Sequence, residues 1–243
     1  MNSLADALER VEKRRKHLEI CTADAAVATE LQRQFATRNV DVEHTPVAGF
    51  DEPGFAIVRG ADGGFAGALG LDQFGAVLSP ERHPPWELGT TDVDTSSLFD
   101  FLEQTLFASY DRRQMIAATR EIEERAWRLG DGTLYVGFQR ESALLEQADV
   151  YERFDDRDDL AVAVFIADEW SGQIGDISVV ESQAAEIGQF WFVLFDGAEN
   201  RDQSCGLLAA ERRPGEYYGF WTYDSEFVSE LIAYLESTYD PNP

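Results

Sequence analysis

The side chains that most often perform catalysis or bind metals are few or unfavourably spaced in this sequence. Three histidines, His17, His44 and His83, have no cysteine or carboxylate at the spacing of a metal-binding motif. Ser204-Cys205-Gly206 lies in a strand pattern, not in the Gly-x-Ser-x-Gly turn of a serine nucleophile. Carboxylate pairs are too common among 46 acidic residues to indicate acid/base catalysis. We therefore predict no catalytic residue and no metal site.

Phosphate-binding motifs are also missing from the sequence. Neither of the two lysines, Lys13 and Lys16, follows a glycine-rich turn between a strand and a helix, which excludes a P-loop nucleotide hydrolase. The glycines at residues 60–70 fall in a predicted β-hairpin, where no helix N-terminus could receive a dinucleotide phosphate. A phospho-receiver domain is excluded as well, because no lysine ends a late strand.

Aromatic residues in the C-terminal half offer the best candidate for a binding site. Indole and phenol rings are concentrated at residues 190–195 and 217–223, and each such ring carries a polar atom on an apolar body. A cluster of this kind fills a core or lines a ligand pocket, and the sequence leaves both alternatives open. For the pocket alternative, the predicted ligand-binding residues are Gln139, Trp191, Tyr218 and Trp221.

Hydrophobic periodicity predicts the elements of the N-terminal half. In order, they are helix 3–17, strand 18–22, helix 24–38, strand 40–44, loop 46–54, a hairpin over 55–71, loop 79–95 and helix 96–110. Asp111, with Gln114 at the capping-box position, then predicts a second helix over 111–128. This helix would connect the two halves of the chain.

The C-terminal half alternates strands with helices. The predicted elements are strand 133–138, helix 141–154, strands 160–167, 190–195, 204–210 and 217–223, and a final helix capped by Asp224. Residues 160–167 and 190–195 are continuously apolar, which is typical of central strands buried on both faces.

We therefore expect a mixed α/β (α+β) fold in which β-sheets are flanked by helices. The predicted domains are an N-terminal α/β lobe, residues 1–110, and a second domain, residues 111–243, that begins with the connecting helix. The order of elements repeats between the halves, and Leu98, Leu102, Leu106 and Tyr110 echo Phe227, Leu231, Leu235 and Tyr239. Two similar lobes joined by a central helix and one elongated domain both stay open.

Composition limits the environment and the partners. The chain has 243 residues, 44% of them hydrophobic, which excludes a disordered protein. Its formal net charge is -26 at pH 7, with 46 acidic and 20 basic residues, and lysine is nearly absent. Such a surface suits a cytoplasm of molar salt, so we expect a halophilic archaeal protein. We expect no nucleic-acid partner, because phosphate binding needs clustered basic side chains.

The apolar segments predict a cytoplasmic protein. Every apolar run is far shorter than the roughly 20 residues that a membrane-spanning helix requires, so we expect no membrane insertion. The first residues show no secretory signal, and Cys21 and Cys205 are expected to be buried free thiols.

Three segments of the second half resemble the DICT sensory domain, which is named for its occurrence with diguanylate cyclases and two-component proteins. They are Met115 to Ala126 with its Ile-Glu pair, Tyr135 to Gln139 with its Phe-Gln end, and Tyr151 to Phe154. Residues 190–195 and 220–224 fit the later part, so the resemblance covers about residues 111–240.

The resemblance implies a non-enzymatic protein that senses a cue, small molecule or light-linked signal, and relays it to an output carried by a protein partner. The cofactor is unknown, and a covalently held chromophore is not expected. Two alternatives stay open: an interaction scaffold, for instance a homodimer, that regulates motility, cell shape or transcription, and an enzyme that acts on a small molecule through carboxylates.

Overall fold

A computed structural model describes residues 1–36, 38–47, 54–71 and 104–241, with residues 104–110 described by their backbone alone. Within these ranges the fold is mixed α+β, which confirms the predicted class. The chain forms two compact units. We call Val11–Glu103 the small unit, and Met1–Arg10 together with Gln104–Pro243 the large unit. The predicted division between functional domains after residue 110 stays a prediction.

The small unit is a four-stranded sheet with a helix on it. Its elements are β1 (Lys16–Cys21), α2 (Ala25–Phe35), β2 (Val40–Thr45), β3 (Phe55–Arg59) and β4 (Phe65–Gly70), after α1 (Leu4–Lys13), which begins in the large unit. The strand order is β2-β1-β3-β4, with β1 and β2 parallel and the other pairs antiparallel. Asp24 caps α2 by accepting from the backbone N–H of Ala26 at 2.8 Å.

The large unit contains a seven-stranded sheet. Its elements are β5 (Gln104–Tyr110), α3 (Arg112–Leu129), β6 (Asp131–Phe138), α4 (Glu141–Leu145), α5 (Ala148–Tyr151), β7 (Asp159–Ile166), β8 (Ser178–Glu181), α6 (Ala185–Gln189), β9 (Phe190–Phe195), β10 (Cys205–Arg213), β11 (Glu216–Thr222) and α7 (Ser225–Tyr239). The strand order is β5-β11-β10-β9-β6-β7-β8, in which β6, β7 and β8 are parallel and the other pairs antiparallel.

Helices cover both faces of this sheet. On one face α3 packs against β6, β9 and β10, because its apolar positions Met115, Ile122 and Ala126 share one side of the helix. On the other face α7 packs against β9 and β10, and the ring of Phe227 stacks on Phe220 at 5.5 Å. The predicted central strands, now β7 and β9, are buried on both faces as expected.

The capping of α3 follows the sequence prediction closely. Asp111 accepts from the N–H of Gln114 at 2.9 Å, and the Gln114 side chain accepts from the N–H of Asp111 at 2.9 Å. At the other end Gly130 takes the left-handed conformation, with φ 68°, that ends a helix. The predicted helix over 111–128 is therefore confirmed within one residue of its bounds, while its role as a connector between two domains stays a prediction.

The predicted helix over residues 96–110 is wrong where the structure describes it. Gln104–Tyr110 is β5, an edge strand whose backbone pairs with β11. The leucines have the spacing of a helix, but pairing with β11 determines the structure here, since tertiary contacts override local periodicity. Residues 96–103, the loop over 79–95 with His83, and most of the loop over 46–54 lie outside the described residues. The predicted helix 141–154 is also interrupted, and forms α4, α5 and a 3₁₀ turn at Phe154–Asp156.

Each of the two sheets contains four strands in the same arrangement. The order β2-β1-β3-β4 in the small unit corresponds to β7-β6-β9-β10 in the large unit, with the same parallel and antiparallel pairs. The predicted echo between two closing helices is wrong, because Leu106 and Tyr110 belong to β5 while Leu235 belongs to α7. The likeness between the halves therefore lies in strand topology.

Candidate functional site

A cavity of about 300 Å³ opens in the large unit at the carboxyl end of β6. Its walls come from the first half of α3, the end of β6, α4 and the starts of β9 and β11. Because β9 runs antiparallel to β6, the first residues of β9 lie beside the last residues of β6 at this edge of the sheet. The carboxyl end of a strand in an open α/β sheet is a common place for a ligand.

Two aromatic residues form one wall of the cavity. The ring centroids of Trp191 and Tyr217 lie 5.4 Å apart with an edge-to-face angle of 87°. The indole N–H of Trp191 donates to the hydroxyl of Thr119 at 3.1 Å, which fixes the plane of the indole. Both rings therefore line the cavity in fixed orientations, and offer apolar surface to a ligand.

A buried carboxylate lies at the back of the cavity. Glu123 on α3 is 3% exposed, and it accepts hydrogen bonds from the Tyr151 hydroxyl and the Arg120 guanidinium. Burial raises the pKa of Glu123, although both donors oppose this shift. Burial and the neighbouring carboxylate also raise the pKa of Tyr151 well above its ordinary value. Arg120 further donates to the side chain of Gln147, so one network joins α3 to the start of α5.

Two more arginines stand at the cavity. Arg112 pairs with Glu146, with Nη2 and Oε2 2.6 Å apart, while Arg140 lies exposed just before α4. Burial is the main cause that raises the pKa of Tyr217, with a contribution from Glu211, while Arg112 and Arg140 oppose the shift. Both guanidinium groups are therefore close enough to Tyr217 to act on its phenol.

The structure brings two of the four predicted ligand-binding residues to the cavity. Gln139 and Trp191 line it, and Gln139 donates to the backbone carbonyl of Gln189 at 3.1 Å. Tyr218 lies on the opposite face of β11, where the Arg212 guanidinium sits 3.5 Å from its ring centroid.

Trp221 lines a different site. It lies on the face of β11 that α3 covers, four residues after Tyr217. There it contributes to a shallow depression together with Tyr223 and Gln114. The described structure thus separates Trp221 and Tyr218 from Gln139 and Trp191.

Several cavity residues had no sequence signal that singled them out. Tyr217 could have been chosen in place of Tyr218 had the register of β11 been known, since neighbours on a strand face opposite sides. Glu123 is one of 46 acidic residues, and no pattern marks it as buried. Arg120 and Tyr151 belong to the segments that resemble the family, and the resemblance assigns them no role in binding.

The two cysteines are buried and unpaired, as expected. Burial raises the pKa of Cys205 to about 12 and also raises that of Cys21, so both are poor nucleophiles near neutral pH. Among the described residues, no three His, Cys, Asp or Glu side chains come together as a metal site would require. No helix in the described part of the chain is long and apolar enough to cross a membrane.

The fold and the cavity define a mixed α+β domain with a partly enclosed hollow at one end of its sheet. Residues 95–213 match the family model of the DICT domain, described as a sensory domain in diguanylate cyclases and two-component systems. This part of the chain therefore matches the DICT sensory domain, which confirms the resemblance. The match starts earlier and ends earlier than expected, so Tyr217, β11 and α7 lie beyond it.

Other comparisons add little. No curated protein matches the chain. Among solved structures, the chain is similar to a polyphosphate kinase from Porphyromonas gingivalis, with 10% sequence identity and a TM-score of 0.34 over 96% of this chain. The chain spans 47% of the length of that kinase. A likeness of this size carries no conclusion about fold or function.

Proposed function

We propose that the large unit is the sensory part of a non-enzymatic signalling protein, and that its cue is a small molecule bound in the cavity at the end of β6. The observation that carries this proposal is the composition of the cavity. Fixed aromatic rings, Trp191 and Tyr217, and polar groups such as Gln139 converge on one hollow, which is the usual make-up of a small-molecule site. The matched family gives the sensory role.

The relay starts at α3. Thr119, Arg120 and Glu123 all line the cavity from this helix, and Arg120 connects Glu123 to Gln147. A ligand that hydrogen-bonds to Arg120 competes with Glu123 and Gln147 for its donors. The packing of α3 against α5 then differs between the free and the bound state, and a differential affinity of this kind shifts the populations of the two.

The output is carried by a protein partner or by a second copy of the chain. A light-linked signal that reaches the domain through a partner, a cytoplasmic location and a halophilic archaeal source belong to the same proposal, and rest on the family resemblance and on composition. Purification and binding assays should therefore be run in high salt as well as at ordinary ionic strength.

Hydrogen exchange of the α3 amides, with and without the low-molecular-mass fraction of an extract from the source cells, tests the proposal. We expect slower exchange in residues 112–129 when the fraction is present. Ala143→Trp, which fills the cavity from α4, should abolish the change, whereas Ala117→Trp on an exposed position of α3 should retain it. Exchange that is unaffected by the fraction, or affected equally in the Ala143→Trp variant, would contradict the proposal.

A further inference from the structure

We infer that the cavity at the end of β6 takes a planar aromatic molecule that bears one anionic group, with the ring against Trp191 and Tyr217 and the anion on Arg140. The inference rests on the proposed function, because it names the chemical class of the ligand for the same site. Neither the family description nor the sequence alone assigns this class.

The aromatic wall selects a flat, apolar body. Trp191 and Tyr217 are held edge to face, and the hydrogen bond from Trp191 to Thr119 uses the polar atom of the indole. The remaining surface of the indole ring is apolar, and a flat ring gains most from contact with it. A volume of about 300 Å³ lies at the lower end of the range for small-molecule pockets, which favours one or two fused rings.

The charges at the cavity differ from those of the rest of the chain. The chain carries a net charge of -26, yet three arginines line this hollow beside three glutamates, so the charges of the lining are balanced. Arg112 is neutralised by Glu146, and Arg120 by Glu123. Arg140 has no ion pair with any residue in the described ranges, so its guanidinium stays available. A guanidinium presents a planar pair of donors that matches a carboxylate, phosphate or sulfonate.

Glu211 also lines the cavity, and it has no ion pair there with the three arginines, so its charge opposes an anion. Its Oε1 accepts from the backbone N–H of Gly215 at 2.8 Å, which commits this oxygen to the turn between β10 and β11. Glu211 is exposed, so water screens its charge. Arg112 and Arg140 both oppose the rise in the pKa of Tyr217, so both guanidinium groups lie close to the phenol that forms part of the aromatic wall.

Two dyes with the same rings provide the test. The first, 8-anilinonaphthalene-1-sulfonate, is anionic, and the second, N-phenyl-1-naphthylamine, lacks the sulfonate. We expect the full chain to bind one equivalent of the anionic dye at least about tenfold more tightly than the neutral dye, as a charge-assisted hydrogen bond implies. Higher salt should weaken the binding of the anionic dye and leave the binding of the neutral dye nearly unchanged.

Variants locate the binding and separate the two ideas. Arg140→Gln should lower the affinity for the anionic dye about tenfold without changing the affinity for the neutral dye. Arg128→Gln, at the far end of α3, should change neither affinity. Ala143→Trp should abolish both, with circular dichroism confirming that each variant is folded. Equal affinities for the two dyes, together with no effect of Arg140→Gln, would overturn the ligand class and leave the proposed function standing.

Binding that survives in the Ala143→Trp variant, or no binding of either dye, would also overturn the inference. The proposed function fails on a different result, which is the absence of any effect of the extract fraction on α3 exchange. The two failures are therefore distinguishable.

Discussion

The small unit and the middle of the large unit contain four strands in the same arrangement, in which β1 corresponds to β6. The carboxyl ends of these two strands differ. After β1, the carbonyl of Thr22 accepts from the N–H of Val47 at 3.4 Å and lies 3.0 Å from Nε2 of His44. Gly54 packs so closely that a side chain there would overlap the Cys21 carbonyl. Backbone therefore occupies this end of the small sheet.

The matching place in the large unit is the carboxyl end of β6. The chain after β6 turns away from this end into α4, and the space that remains open is the cavity. Side chains of β9 and β11 line it, and β11 has no counterpart among the described strands of the small sheet. The comparison shows that strand order alone does not create a site. The connections and the added strand decide whether the end of a strand is filled or open.

The largest expected effect is the loss of the closed end of β1. Gly54 has φ 102°, and its added methyl group would meet backbone, which cannot move aside easily. We expect Gly54→Ala to lower the free energy of unfolding by about 3 kcal/mol, measured by urea denaturation. Gly67→Ala, where a methyl group meets nothing within 4 Å, should cost less than about 1 kcal/mol. Equal losses in the two variants would contradict the close packing at this end.

The second effect concerns the buried carboxylate of the open end. Tyr151→Phe removes a donor to Glu123 and leaves that carboxylate with less compensation for its burial. We expect a loss of about 2 kcal/mol in the free energy of unfolding. Tyr217→Phe is the control, because the Tyr217 hydroxyl has no hydrogen-bond partner among the described residues, and it should change stability by less than about 0.5 kcal/mol. Comparable losses would show that the Tyr151 hydroxyl is not a significant donor.

The pH dependence of stability should differ between the two regions. The pKa of Glu123 is raised in the folded chain, so its contribution to stability is full below the ordinary pKa and is lost as the pH rises through the folded value. We therefore expect the wild type to gain stability relative to Glu123→Gln as the pH falls from 8 towards 4.5. Thermal unfolding across this range measures the difference.

Glu30 in the small unit supplies the opposite sign. Hydrogen bonds from Arg33 and Gln34 lower its pKa, so the wild type should lose stability relative to Glu30→Gln as the pH falls through the folded value. The effect should be small, since this carboxylate is at the surface. Identical pH profiles for the two variants would contradict the contrast between a buried and an exposed carboxylate.

The smallest effect belongs to the contact that orients the aromatic wall. Thr119→Val removes the acceptor for the Trp191 indole, and we expect a loss of about 0.5–1 kcal/mol. Thr119→Ser keeps a hydroxyl and should retain most of the stability. A shift of indole fluorescence in the valine variant alone would support the contact, whereas the same shift in both would contradict it.

The sequence was informative wherever a local pattern agreed with the final packing. The capping box of α3, the apolar runs of β7 and β9 and the cap of α7 were all predicted correctly, because each depends on neighbouring residues. β5 was missed since Leu98, Leu102 and Leu106 have a helical spacing in the sequence, and pairing with β11 decides the structure of Gln104–Tyr110. The short edge strand β8 was missed as well.

The site was predictable only in part. Aromatic density predicts Trp191 as a lining residue, Gln139 is predicted together with it, and the structure brings both to the cavity. Tyr218 was chosen one residue away from Tyr217, because the register of a strand depends on its partner. The network of Glu123, Arg120 and Tyr151 joins residues up to 31 positions apart, and its members have no common motif in the sequence.

The central claim is that the cavity at the end of β6 holds the cue. Native mass spectrometry of the wild type and of Ala143→Trp, both purified from the same source cells in the same salt, tests it most directly. The account predicts an added small-molecule mass on the wild-type chain that is absent from the variant. The same added mass on both chains, or none on the wild type, would contradict it.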